Sequence, residues 1–94
     1  MIRWNWIKNK RPIDISLKSR MEGNILLVYG KTLEIIYLNK ISARILKLSD
    51  GSHSLEDIMQ ILLDIYAVEE YKLKLDIISF IRELQWKRII KLEE

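Results

Sequence analysis

"IIYLNKISARILKLSDG", residues 35–51, joins a strand signal to a helix signal almost without a linker. Ile35, Ile36 and Tyr37 are β-branched or aromatic, the types that pack well on a pleated, half-buried surface. Asn39 interrupts the run and suits an N-cap, because its side-chain oxygen can accept from the free amides of the next turn. Ile41, Ile45 and Leu48 then recur at i, i+4 and i+7, which predicts a helix over about Lys40–Leu48. Asp50-Gly51 ends it, with glycine free to take the left-handed conformation.

Upstream of this junction, "ILLVYGKTLEIIYL" reads as a hairpin with Gly30-Lys31 in a two-residue type II′ turn. That register pairs Tyr29 with Thr32, Leu27 with Glu34 and Ile25 with Ile36. Ile25, Leu27, Tyr29, Ile36 and Leu38 then share one face, and Leu26, Val28, Leu33, Ile35 and Tyr37 the other. Both faces are apolar, and helices can cover only one. The second wants an arm, a second protomer or a ligand. Asp14–Met21 is predicted as an earlier strand, with Ile15, Leu17 and Met21 as its apolar positions, and Glu22-Gly23-Asn24 as a turn. Ile2, Trp4 and Trp6 alternate with Arg3 and Asn5 before Pro12, a strand-like period of two. Residues 1–12 are thus read as a basic, Trp-containing arm that clasps the body or, alternatively, dimerises or binds a partner.

Downstream, Ser54 caps a second helix, with Asp57 in capping-box position and Leu55, Ile58, Met59, Leu62 and Tyr66 in a core stripe. A third helix is predicted from Glu69-Glu70 to about Trp86, its core face being Leu73, Ile77, Phe80, Ile81 and Leu84. Tyr71, Leu75, Ile78 and Trp86 gather on the opposite side around Arg82, as a dimer contact or part of a binding groove. Ile89-Ile90-Lys91-Leu92 is a short closing strand. The expected fold is α+β and winged-helix-like: about three antiparallel N-terminal strands followed by three helices.

The chain has 94 residues, which make one domain spanning 1–94, and 49% of them are hydrophobic, enough for a packed core. There is no cysteine, which excludes disulfides and thiol chemistry, and no apolar run long enough to span a membrane. The protein is read as soluble and cytoplasmic. Residues 1–20 hold six Lys/Arg against one Asp, a charge of +5, while the other 74 hold ten against twelve, a charge of −2. A slightly acidic body argues against one wrapped in nucleic acid, which needs a basic docking stripe. His53 is the sole histidine, so no His/Cys metal set exists, and no glycine sits in a phosphate-cradling spacing. Ser52 or Ser54, His53 and Asp50 are too close in sequence for triad geometry. The reading is a non-enzyme with no catalytic residue, metal or cofactor.

Two binding modes remain. A DNA-binding winged helix would place the third helix in the major groove, but Asp76, Glu83, Leu75 and Ile78 suit that poorly. An extended peptide could instead add to the edge of the last hairpin strand, its side chains filling a groove toward the third helix.

The ordered features resemble a known family. A strand ends in Leu38-Asn39, and a helix closes on Leu48-Ser49-Asp50-Gly51. Ser54-Leu55-Glu56-Asp57-Ile58 opens a helix that ends near Tyr66, and the last helix carries Asp76, Phe80 and Leu84 in a D-x-x-x-F-x-x-x-L pattern. Over about residues 24–92 this resembles the PqqD-like proteins, the recognition elements for ribosomally made precursor peptides. The family often has glycine before the final apolar pair, where this chain has Arg88 before Ile89-Ile90. The resemblance implies a peptide chaperone that binds the leader segment of a precursor and presents it to a radical SAM enzyme, a leader peptidase or a cyclase. It implies a leader strand along Thr32, Leu33, Glu34, Ile35, Ile36 and Tyr37, with a wall of Lys74, Ile77, Ile78, Ile81 and Arg82. In that reading Lys74 and Arg82 pair with acidic leader residues. A DNA-binding transcriptional regulator is the alternative.

Overall fold

The structure is a computed structural model that describes residues 3–32 and 34–94. A single helical turn, α1 (Trp4–Ile7), is followed by β1 (Arg11–Asp14), β2 (Lys18–Glu22), β3 (Ile25–Tyr29) and β4 (Ile35–Leu38). Then come α2 (Lys40–Lys47), α3 (Leu55–Ile65), α4 (Glu70–Trp86) and β5 (Ile90–Glu93). The α+β class and the three main helices stand as expected, while the strands differ in number and pairing. β2-β3-β4 form one antiparallel sheet, and β1 pairs with β5 in a second.

The helix ends follow local chemistry. Asn39 accepts from the Ser42 N–H at 2.9 Å, and Ser54 and Asp57 exchange two hydrogen bonds of 3.1 Å as a capping box. The N–H groups of Leu55 and Glu56 donate to Lys10 O and Lys8 O, so the N-terminal segment closes the first turn of α3. At the end of α4, Arg88 N–H donates to Gln85 O and Ile89 N–H to Leu84 O, a Schellman motif with Arg88 at φ 56.

The N-terminal reading is corrected: Trp4–Ile7 is a turn of helix and not a strand. Trp4 and Ile7, three residues apart, face the core, while Trp6 is 64% exposed. The single strand expected over 14–21 is two strands in different sheets, with residues 15–17 as the break. Leu17 and Met21, expected to be inward, are exposed. The closing strand finds its partner in β1, with Pro12 opposite Leu92.

The hairpin register is also corrected. Tyr29 lies opposite Ile35 and Val28 opposite Ile36, a shift of three residues from the predicted pairing. An odd shift turns β4 over. Val28, Ile36 and Leu38 therefore share the buried face, and Tyr29, Ile35, Leu27 and Tyr37 the outer one. Gly30 does not supply a positive φ. It is buried, and a Cβ there would lie 3.3 Å from Ile89 Cγ1 and 3.4 Å from Lys87 O. Close approach of the hairpin to the end of α4 demands the glycine, and the loop is longer than two residues.

Val28, Ile36 and Leu38 pack on Ile45, Leu55, Ile58, Met59, Leu62, Leu73, Ile77 and Ile81 in one core. The Asp50-Gly51 turn is bound to β1: Gly51 N–H donates to Pro12 O and Asp14 N–H to Ser49 O. Gly51 has φ 83, and a Cβ would meet Ile13 at 3.2 Å.

Candidate functional site: an open strand edge beside α4

Gly30 N–H donates to Glu34 O at 2.9 Å, which makes Gly30–Glu34 a hydrogen-bonded pair. In an antiparallel ladder such pairs alternate with open ones, so Val28–Ile36 and Leu26–Leu38 bond likewise. Ile35 and Tyr37 then turn their N–H and C=O groups away from β3. No strand lies on that side, and among the described residues no backbone group bonds them. β4 is an unpaired edge. Its outward side chains are uncovered too, Ile35 being 47% and Tyr37 69% exposed.

α4 runs antiparallel alongside this edge. One end is fixed where Asp76 and Phe80 share a cleft with Asn39, the residue after β4. The other is fixed where Lys87 O and Ile89 close on Gly30, the residue paired with Glu34. At the Asn39 end, just beyond β4, a cleft of about 510 Å³ opens between α2 and α4, lined by Asn39, Ile41, Ile45, Leu73, Asp76 and Phe80, with Glu69 and Lys72. Leu73, Asp76 and Phe80 stand at i, i+3 and i+7, one flank of the helix. Asp76 belongs to no ion pair among the described residues, whereas Lys74 is held by Glu70 at 3.3 Å and Lys87 by Glu83 at 3.3 Å. The free charge on this wall includes two acids, Glu69 and Asp76, and one base, Lys72.

The residues singled out in the sequence fall into several groups. Ile35 and Tyr37 present the edge, Ile36 faces the core, Thr32 and Glu34 lie in the connecting loop, and Leu33 lies outside the described residues. Ile77 and Ile81 are fully buried in the core. Lys74 and half-buried Ile78 lie on the flank of α4 away from Asp76 and Phe80, and exposed Arg82 points opposite the core. Asn39, Leu73, Asp76 and Phe80 line the cleft instead. Helical periodicity identifies the buried stripe but not which flank borders the sheet edge.

The Asp50–His53 loop clusters tightly without forming a relay. Ser52 Oγ donates to Asp50 Oδ1 at 2.6 Å, and His53 Nδ1 faces Ser52 Oγ at 3.1 Å and Asp50 Oδ1 at 3.3 Å. A proton relay needs Asp and Ser on different ring nitrogens. Here both meet Nδ1, as in a polar turn. Among the described residues no group of three or more His, Cys, Asp or Glu could hold a metal ion, and no helix is long and apolar enough to cross a membrane.

Comparison with known proteins fits this geometry. The family model described as "Coenzyme PQQ synthesis protein D (PqqD)" matches residues 24–90. Among curated proteins no match is found. Among solved structures, "TbiB1 in Complex with the TbiA(beta) Leader Peptide" superposes with a TM-score of 0.73 at 20% identity, over 84% of this chain and 93% of that one.

Proposed function

We propose, from the premise that the chain belongs to the PqqD family, that it is a non-catalytic carrier for the leader segment of a ribosomally made precursor peptide. The leader adds as a fourth strand beside β4, its backbone bonding Ile35 and Tyr37 and its side chains reaching toward Phe80. The single observation that carries this reading is the unpaired edge of β4 with the outward side chains of Ile35 and Tyr37 uncovered. The solved structure with the similar fold is titled as a leader-peptide complex, which supports the same ligand class. Presentation to a maturation enzyme is part of the same proposal: a domain that only holds the peptide needs a second protein for the chemistry.

The wall chemistry refines the ligand. With Glu69 and Asp76 outnumbering Lys72 on the cleft and Lys74 paired with Glu70 on the other flank, the leader presents an apolar residue to Phe80 and a Lys or Arg to Asp76. This reverses the acidic leader residues first assigned to Lys74 and Arg82. Amide hydrogen exchange tests the proposal directly. On addition of the synthetic leader, the Ile35 and Tyr37 amides should become protected and resonances of Asp76 and Phe80 should shift. An unchanged exchange rate at both edge amides with saturating leader would exclude strand addition.

A further inference from the structure

We propose that the cleft between the β2–β3 hairpin and α2 is a second docking site, for an acidic polypeptide segment of a partner protein. The cleft measures about 960 Å³, and apart from Asn39 its lining is distinct from that of the groove beside α4. Its α2 wall carries Lys40, Arg44 and Lys47 at i, i+4 and i+7, all exposed. None of the three belongs to an ion pair among the described residues. Like charges at this spacing repel, and a lysine at the first position of a helix opposes the helix dipole, with no acid in that turn to offset it. Arg44 and Lys47 lie in the last turn, where the dipole favours them, but Lys40 and the spacing of all three along one face gain nothing from it, and a ligand of opposite charge gives that row a use.

The opposite wall says what kind of ligand. Val28 bonds across to Ile36, so Leu27 and Tyr29 bond to Arg20 and Lys18 of β2, and Ser19 and Met21 turn their backbone groups outward. Ser19 and Met21 both line the cleft, Met21 being 60% exposed, with Leu26 and Ala43 as an apolar floor. A free sheet edge facing an apolar floor and a row of cations fits an extended chain with Asp or Glu at alternate positions and small apolar residues between them. A nucleic acid would need cations spread along a broad face, and here they come from one short helix beside a strand edge. The site is independent of the leader groove, so one domain can hold two chains at once.

The test uses the full chain, labelled with nitrogen-15, and a synthetic peptide of alternating Glu and Val as probe. Shifts are expected at Ser19, Met21 and Lys40–Lys47, with affinity falling as salt rises and the Asp76 and Phe80 signals unmoved. The Lys40→Glu, Arg44→Glu double variant should bind at least tenfold more weakly. Glutamate at position 40 suits the helix start, which offsets the acid placed in the last turn at 44, and unshifted core resonances check that the variant keeps its fold. The proposal is overturned by an absence of shifts, by equal binding to the charge-reversed variant, or by shifts confined to the groove beside α4. It is equally overturned if a short DNA duplex binds the same residues more tightly than the peptide. Leader binding at β4 is measured in the same samples, so loss of one site is told apart from loss of the other.

Discussion

The three-stranded sheet has two free edges, and the clefts beside them differ in the sign of their charge. The cleft beyond the Asn39 end of β4 has α4 as a wall, contributing Leu73, Asp76 and Phe80, with Glu69 and a single base, Lys72, nearby. At β2 the wall is α2, contributing Lys40, Arg44 and Lys47. Backbone geometry is the same at both: alternate residues of an outer strand offer N–H and C=O groups to an incoming chain. A bare edge is indiscriminate, and natural sheets usually blunt it with charge or cover. Here the helix beside each edge supplies the discrimination. The difference teaches that two edges with the same backbone geometry can be told apart by the charge of the helix walls near them.

The sharpest way to break that comparison is to disable one edge and leave its neighbour intact. Tyr37→Pro removes an outward N–H from β4 without touching the ladder to β3, because Tyr37 sits in an open pair. Leader affinity should fall at least about tenfold, the equivalent of roughly 1.4 kcal/mol, by fluorescence titration, while binding at the β2 edge is unchanged. Ile36→Pro is the control, since Ile36 bonds Val28 and its loss should unfold the hairpin. Equal leader affinity in Tyr37→Pro would place the peptide elsewhere.

Charge reversal on the α4 wall has a smaller effect. Asp76→Lys should weaken a leader that carries a basic residue by about 3- to 10-fold, a range typical of partly exposed charge pairs. It should also lower the salt sensitivity of binding. If the variant binds more tightly, the leader is acidic and the assigned sign of this wall is wrong.

A third test moves no ligand contact and asks how the wall is held. Arg88 sits at φ 56 and closes the Schellman turn that brings Ile89 under Gly30. A side chain in the left-handed region costs about 1–2 kcal/mol, part of which glycine returns through its greater freedom when unfolded. Arg88→Gly should therefore raise stability by about 1 kcal/mol in a denaturant melt, with leader affinity preserved. A destabilised variant would mean that the arginine side chain holds the turn.

That position also marks how much could be read beforehand. The three main helices and their caps were legible at Asn39 and Ser54, because short-range hydrogen-bond chemistry sets them. So was the tight turn at Gly51. Arg88 stood out as the residue where the family often has glycine, and its left-handed backbone is the physical reason. The hairpin register was not legible, because Gly30 looks like a turn glycine. Its true constraint is a contact with Ile89, 59 residues away in the chain. The strand-like alternation of Ile2, Trp4 and Trp6 misled for a similar reason, since tertiary docking of Trp4 and Ile7 decides the helical turn. For the candidate site, the edge at Ile35 and Tyr37 was visible as an uncovered apolar run. The flank of α4 was not, because Lys74 and Asp76 differ by only two positions and only the packed structure says which one meets Asn39.

The smallest expected effect concerns the turn that ties α2 to β1, and through Asp14 borders the basic cleft. Asp50 accepts from the Ser52 hydroxyl at 2.6 Å and from the Ser52 N–H at 2.9 Å. These bonds, with a smaller contribution from His53, lower its pKa from an ordinary 3.8 to about 2. A carboxyl whose pKa is depressed by folding adds stability while it is ionised in both states. That contribution is complete above the ordinary value and is lost as the pH falls toward about 2. Thermal melts of the parent and of Asp50→Asn should therefore differ most near neutral pH and converge between pH 4 and pH 2. The two proteins differ at that one side chain, so the difference isolates Asp50. The side chain is exposed, which keeps the effect small. A gap between the two melts that stays constant down to pH 2 would mean that the turn is held by the Gly51–Pro12 and Asp14–Ser49 backbone bonds without help from the charge of Asp50, and that acid leaves the border of the basic cleft intact.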